Sequence, residues 1–207
     1  MRTIVYVDGL NLYYVCLKGT PFKWLDLAAL CSRLLPGHDI RAIKYFTTRV
    51  DNRMGDPHKA TRQDAYLRAL RTTPSIQIIL GQFLTHLVHL PKADGTGLVR
   101  VLRTEEKGSD VNLASHLIHD AHRGVMDCAA VFSNDSDLAE PMRIVNREIR
   151  LPIGLITPTL RKNRHPSRQL LTHADFVKQV RRGVLAVSQL PDPVLDSMGS
   201  IQKPSSW

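Results

Sequence analysis

In "AAVFSNDSDLAEP" (129–141) an apolar run passes straight into Ser133, Asn134, Asp135, Ser136 and Asp137, so two carboxylates stand two residues apart. Two other acids have similar settings. Asp8 closes the apolar run of "TIVYVDGLN", and Asp110 follows Ser109 at the head of "SDVNLASHLIHDA". Each has an ordinary reading: Asp, Asn and Ser cap helices by accepting from first-turn N–H groups, and Asp8-Gly9 suits an Asx turn. Four like charges brought together would need compensation to stay ionised. A hard divalent cation supplies it, Mg²⁺ best or Mn²⁺ in its place, because it takes a few carboxylates and shares phosphate oxygens. Such a centre activates a water and stabilises the leaving oxygen of a phosphodiester. The expected chemistry is metal-dependent phosphodiester hydrolysis, with Asp8, Asp110, Asp135 and Asp137 as both catalytic residues and metal ligands.

Those acids can meet only if the chain puts them at one end of one sheet. Short β-rich runs alternate with helix-like stretches, the pattern of parallel β-α units. "TIVYV" (3–7), a strand within 40–50, "SIQIIL" (75–80) and "CAAVF" (128–132) read as buried strands. "IRLPIGLIT" (149–157) reads as a fifth, placed at an edge by Pro152. Ligands of open parallel sheets sit beyond the carboxyl ends of the strands, which is where Asp8, Asp135 and Asp137 fall. A helix from Ser109 advances about 100° per residue, which sets Asp110 on the same side as Leu113, Ala114, Leu117 and Ala121. His116, His119 and His122 then fall on the other half. Their spacing could bind a soft metal, but three exposed histidines is the better reading. "FLTHLVHL" and "LVRVLRTEE" around "PKADGTG" predict a β-hairpin inserted before that helix. One domain is expected over residues 1–183, with a loosely held Pro/Ser-rich C-terminal tail over 184–207.

The chain has 207 residues, 28 Lys+Arg against 19 Asp+Glu and a formal charge of +9, with an isoelectric point near 9.8. That excess suits a polyanion such as nucleic acid. Basic clusters lie at Arg49, Arg53, Lys59 and Arg62, and at Arg161, Lys162, Arg164 and Arg168. Tyr13, Tyr14, Tyr45 and Phe46 form no evident stacking platform, so backbone and shape recognition is expected over base reading. No apolar run approaches the roughly 20 residues of a membrane span. Cys16, Cys31 and Cys128, odd in number and without C-x-x-C spacing, read as reduced thiols of a cytoplasmic protein.

"YVDGLN", "KGSDVNLASHLIHDA", "VFSNDSDLAEPM" and "SRQLLTHADFV" occur in the order found in the NYN family of PIN-like ribonucleases, which the chain resembles over roughly residues 3–180. The resemblance implies a PIN-like three-layer α/β/α sandwich, with a central mostly parallel sheet of about five strands and the inserted β-hairpin. It implies divalent-metal-dependent hydrolysis of RNA leaving a 5′-phosphate, with the metal-binding acids on Asp8, Asp110, Asp135 and Asp137. The family's motif Asn falls on Asn11, Ser133 sits beside the metal, and Lys107 is placed to contact phosphate. Asn134 stands where the family usually has Gly, and Asn is the side chain that best tolerates a positive φ there. The insert could shape substrate access or a homo-oligomer contact, and related small nucleases act in modules with a regulatory protein partner. Two other readings compete. One is a non-catalytic nucleic-acid-binding module of the same fold. The other is a haloacid-dehalogenase-type phosphatase, suggested by D-x-D in "VFSNDSDL" although that pair follows the fourth strand.

Overall fold

The computed structural model describes residues 1–50, 56–158 and 165–207. Strands β1 (Arg2–Asp8), β2 (Asp39–Thr48), β3 (Ile76–Pro91), β4 (Leu98–Lys107), β5 (Cys128–Phe132), β6 (Ile153–Thr157) and β7 (Phe176–Gln179) build one sheet. Their order is β4-β3-β2-β1-β5-β6-β7, parallel throughout except for the antiparallel β3/β4 pair. The chain winds outward from β1 to β2 and β3, then returns to β5 on β1's other side. That reversal opens a crevice at the carboxyl ends of β1 and β5.

Side chains alternate faces along a strand, so each face of β1 feeds its own apolar layer. Val5 and Val7 pack with Leu27 and Leu30 of helix α2 (Leu27–Leu34) and with Tyr66, Leu67 and Leu70 of α3 (Lys59–Leu70). Ile4 and Tyr6 pack on the opposite face with Leu113 and Leu117 of α4 (Ser109–His122) and Met142 of α5 (Ala139–Arg143). This is the three-layer α/β/α arrangement, with a sheet of seven strands rather than about five.

The extra width has physical causes. The third strand does not end at residue 80. Its first part pairs in parallel with β2 as far as Gly81, and from Gln82 it runs antiparallel to β4, so the hairpin grows out of the sheet. A side chain at Gly81 would put Cβ 2.7 Å from Glu106 Oε1 and 2.8 Å from the Lys107 carbonyl, so glycine lets β4 return this closely. At the other side, Asp175 holds β7 against β6 by accepting from the Ile153 amide at 2.8 Å. The strand that follows Pro152 is therefore interior, lying between β5 and β7. Pro152 precedes the strand, where its missing N–H breaks no ladder bond, and its carbonyl accepts from Ala129.

The C-terminal tail is packed rather than loose. Leu185, Leu190, Val194 and Ile201 are buried in the same layer as α2 and α3. Trp24 Nε1 donates to the Pro191 carbonyl at 2.9 Å, Arg68 forks onto Asp196 at 2.6 Å, and Trp207 meets the rings of Trp24 and Tyr66. Pro and Ser content signals absent helix propensity; it does not report the spaced apolar residues that anchor such a segment.

Helix α4 also departs from its expected wheel. Ser109, Leu113, Leu117, Asp120 and Ala121 are its buried residues, so the inner face is turned toward Asp120. His116 is consequently half-buried, 3.2 Å by Nδ1 from Lys44 Nζ and edge-on to Phe46, while His119 and His122 are exposed. Among the described residues no helix is long and apolar enough to cross a membrane.

Candidate active site

The carboxyl end of β1 delivers Asp8 into the crevice, where it is only 4% exposed. One oxygen accepts from the Asn11 amide at 2.9 Å, so Asp8 does cap the short helical turn α1 (Gly9–Asn11). The other accepts from Ser133 Oγ at 2.8 Å, across from the end of β5. Ser133 Oγ in turn accepts from the Asp135 amide at 3.0 Å. Asp135 caps the single turn Ser136–Leu138 by accepting from the Asp137 amide at 3.1 Å. Asp135 and Asp8 are thus tied through one buried hydroxyl. Asp137 is exposed, at the rim.

Asn11 makes no cap with its side chain. Its Oδ1 accepts from the Asn134 amide at 3.2 Å and sews the two loops together. Asn134 does not adopt a positive φ; Arg150 is the non-glycine residue that does so among the described residues. Instead its amide side chain bridges, with Oδ1 accepting from the Ser167 amide at 2.8 Å and Nδ2 donating to the His165 carbonyl at 3.3 Å. The polar requirement at this position comes from that bridge, not from the backbone angle.

Asp110 enters from the first turn of α4. Burial pushes its carboxyl up to about 6, with the charges of Asp8, Asp135, Glu106 and Asp137 adding to the shift in that order. Asp8 is likewise raised, chiefly by burial and further by Asp135 and Glu106, against the hydrogen bonds from Asn11 and Ser133. The charges of Asp8, Asp135 and Asp137 therefore all bear on Asp110, and a fifth acid, Glu106, joins them. Glu106 was absent from the sequence-derived set. It accepts from Thr48 Oγ1 at 2.9 Å and from the Ser109 amide at 3.0 Å, bracing the start of α4 against the end of β2. The signal for it is a glutamate three residues before the helix, the mirror of a capping box.

Among the described residues, none of these five acids is ion-paired. Nor do any three His, Cys, Asp or Glu side chains stand together as a ready-made metal-binding group there. The expected metal centre is thus not pre-formed in this arrangement of side chains. The donor chemistry nevertheless fits a hard cation, being all carboxylate oxygen and electrostatically uncompensated.

The raised Asp110 has a thermodynamic consequence. A carboxyl that binds its proton more tightly folded than unfolded makes stability largest below the ordinary carboxylate range, and stability falls as pH climbs through about 6. In the presence of EDTA, Asp110→Asn is expected to stabilise the protein near neutral pH by roughly 1–2 kcal/mol after allowance for solvent screening. Urea unfolding at several pH values measures it; the gain must shrink as pH is lowered toward the unfolded carboxylate value, and a pH-independent gain would remove the electrostatic explanation.

The basic candidates are scattered. Arg49 pairs with Asp64 at 2.8 Å, Arg62 with Asp56, and Lys107 with Glu105 at 3.2 Å. Lys59 has no ion pair among the described residues, and Arg168 is exposed at the start of α6 (Arg168–Leu171). Arg53, Arg161, Lys162 and Arg164 lie outside the described residues. The aromatic expectation needs correcting. Tyr13, Tyr14 and Tyr45 line a single cleft beside Asp8, whereas Phe46, one residue on from Tyr45, faces the opposite layer.

A parallel sheet reversing at β1, with carboxylates gathered at that point, has the form of a doubly wound α/β fold with its crevice at the switch point. The NYN domain model matches residues 2–175, and the chain belongs to the NYN domain family, with its PIN-like nuclease fold. The 6-hydroxy-3-succinoylpyridine 3-monooxygenase HspA of Pseudomonas putida (strain DSM 28022 / S16) is 33% identical over 238 aligned positions, covering 100% of this chain and 75% of the relative. A crystal structure of a protein of unknown function from Vibrio parahaemolyticus RIMD 2210633 superposes with a TM-score of 0.58 at 15% identity. That match covers 86% of this chain and 92% of the other, and carries the fold alone.

Proposed function

We propose that this protein is a divalent-metal-dependent ribonuclease that hydrolyses RNA phosphodiester bonds in the Asp8 crevice. The observation that carries the reading is the convergence of Asp8, Asp110 and Asp135 from three separate elements on one crevice, where burial raises Asp8 and Asp110 and the neighbouring carboxylates raise them further. Asp8, Asp110 and Asp135 would hold Mg²⁺ or Mn²⁺, with Asp137 at the rim. Bound there, the cation supplies an activated water and offsets charge on the leaving oxygen. Ser133 holds Asp8 and the Asp135 backbone in one geometry, and Asn11 with Asn134 fixes the loops that carry them. The reaction adds water's oxygen to phosphorus and breaks the bond to the 3′ oxygen, leaving a 5′-phosphate and a 3′-hydroxyl. Asp110 has to be ionised to hold a cation, so at limiting metal cleavage should rise with pH as this raised carboxyl loses its proton, and saturating metal should move the rise to lower pH. RNA, rather than DNA, comes from the family likeness, and three free buried cysteines support a cytoplasmic setting.

The deciding experiment presents labelled single-stranded RNA, structured RNA and DNA with Mg²⁺ or Mn²⁺, with and without EDTA, beside an Asp135→Asn/Asp137→Asn variant. Metal-dependent cutting lost in that variant is the expected result. Binding without cutting under every condition would favour a non-catalytic nucleic-acid module.

A second reading follows from the relative's name: hydroxylation of a small aromatic acid. The specific observation in its favour is the aromatic and cationic cleft that shares a wall with the acids. Inserting one oxygen atom of O₂ and reducing the other to water needs two electrons, which a reduced nicotinamide would donate. Oxygen uptake dependent on 6-hydroxy-3-succinoylpyridine and that donor, unaffected by removing Asp135 and Asp137, would favour it over RNA hydrolysis.

A further inference from the structure

The crevice has a neighbour of different character. The chain leaving Asp8 passes through Gly9 and Leu10 to Tyr13, and these residues form one side of a small, partly open cleft of about 80 Å³, well short of the roughly 300–1,000 Å³ of drug-sized sites and suited to a single ring. Tyr13, Tyr14, Tyr45, Tyr66 and Trp207 line it, and Lys23, Lys59 and Arg62 bring three cations. A Cβ at Gly9 would lie 2.6 Å from the Tyr45 ring and 2.7 Å from the Phe46 carbonyl, so the absence of a side chain there is what lets the loop meet the Tyr45 wall. Burial raises the Tyr45 phenol and the Asp8 charge raises it further, which sets the floor of the cleft against the acidic crevice.

The cations are not satisfied in the way a structural cluster would be. Lys23 has its ammonium lowered by burial, then by the charges of Arg62 and Lys203. Its Nζ reaches a neutral acceptor, the Ser206 carbonyl, at 3.2 Å, and sits 5.8 Å from the Trp207 ring centroid. Arg62 has Asp56, but Lys59 has no acid among the described residues. Aromatic walls favour a planar ring by stacking, and a surplus of cations at the mouth favours an anion.

We propose that this cleft binds a planar aromatic ring carrying an anionic group. Two sources share that chemistry: a nucleotide unit of RNA lying next to the acidic crevice, and a free aromatic carboxylate. The site stands whether or not the crevice cuts RNA, because it is defined by other residues.

Trp207, a wall of the cleft, makes binding visible as a change in tryptophan fluorescence of the whole chain in EDTA, where no hydrolysis interferes. The probes are adenosine 5′-monophosphate, uridine 5′-monophosphate, nicotinate, ribose 5-phosphate and inorganic phosphate. Saturable binding of at least one ring-bearing anion, about tenfold or more tighter than ribose 5-phosphate, is the expected result. Nucleotides binding tighter than nicotinate identify the RNA unit, and the reverse order identifies the free acid. Lys59→Gln and the exposed Tyr14→Leu should each weaken the preferred ligand about five- to tenfold with circular dichroism unchanged. Equal binding of ribose 5-phosphate and the ring-bearing probes would reduce the cleft to an anion patch. No saturable binding of any probe, or affinity untouched in both variants, would overturn the proposal.

Discussion

Asp8→Asn should cut RNA cleavage by about 10²–10³-fold while leaving the fold at least as stable as the wild type. The activity falls because the change removes one of the three charges that would hold a cation, and it replaces an acceptor with an amide donor pointing at Ser133. Ser133 Oγ now donates to Asp8 and accepts from the Asp135 amide, so an incoming N–H forces that hydroxyl to turn and disturbs Asp135 as well. Stability moves the other way. Asp8's carboxyl is raised in the fold, mainly by burial, so its ionised form opposes folding above the ordinary carboxylate range, and a neutral amide relieves that cost. Single-turnover cleavage and urea unfolding on the same preparation separate the two effects. Cleavage retained within threefold would remove Asp8 from the reacting centre; a collapse in stability would make it a structural cap and nothing more.

The second large effect lies beneath helix α4. Lys44 of β2, 8% exposed, places Nζ 2.5 Å from Asp120 Oδ2, and the Tyr6 hydroxyl donates to the same oxygen at 2.8 Å. His116 Nδ1 lies 3.2 Å from the ammonium, and burial followed by the Lys44 charge holds the imidazole below its ordinary value. Removing one partner strands the other charge, so Asp120→Ala should destabilise by about 3–5 kcal/mol. Lys44→Met/Asp120→Leu removes both charges, and should recover most of that loss, because burying an ion pair gains little over apolar packing. Chemical denaturation of the two variants and the wild type gives the comparison. A double variant as unstable as Asp120→Ala would mean the pair contributes well beyond its own desolvation, through Tyr6 and His116.

The fold was legible where local pattern and tertiary role agree. "CAAVF" is apolar on both faces because helices cover both, and its strand spans Cys128–Phe132 as read. The start of α4 at Ser109 and the hairpin around residues 92–97 were equally plain, the latter from turn residues such as Asp94, which accepts from the Thr96 amide. The four aspartates could be chosen because each follows an apolar run or opens a helix. Glu106 was harder to choose, because its place three residues before the helix signals only a cap, and its bond with Thr48 comes from a strand 58 residues away. The cleft could not be chosen, because its rings come from the loop after β1, from β2, from α3 and from the tail. Aromatic residues spaced so widely look unrelated until strand order puts them side by side. His116 escaped for a subtler reason, a turn of the helix about its axis driven by burying Asp120 on Lys44.

The hydrogen bond from Ser133 to Asp8 joins residues 125 positions apart. During synthesis Asp8 is made before its partner at the end of β5, which follows only after β1 to β4. Strand β5 must then slot beside β1 in the middle of the sheet before the carboxylates face one another. No nascent chain and no N-terminal proteolytic fragment short of β5 can hold the assembled acid set. If the crevice cuts RNA as proposed, that order of assembly delays competence until β5 and the loop after it have been made.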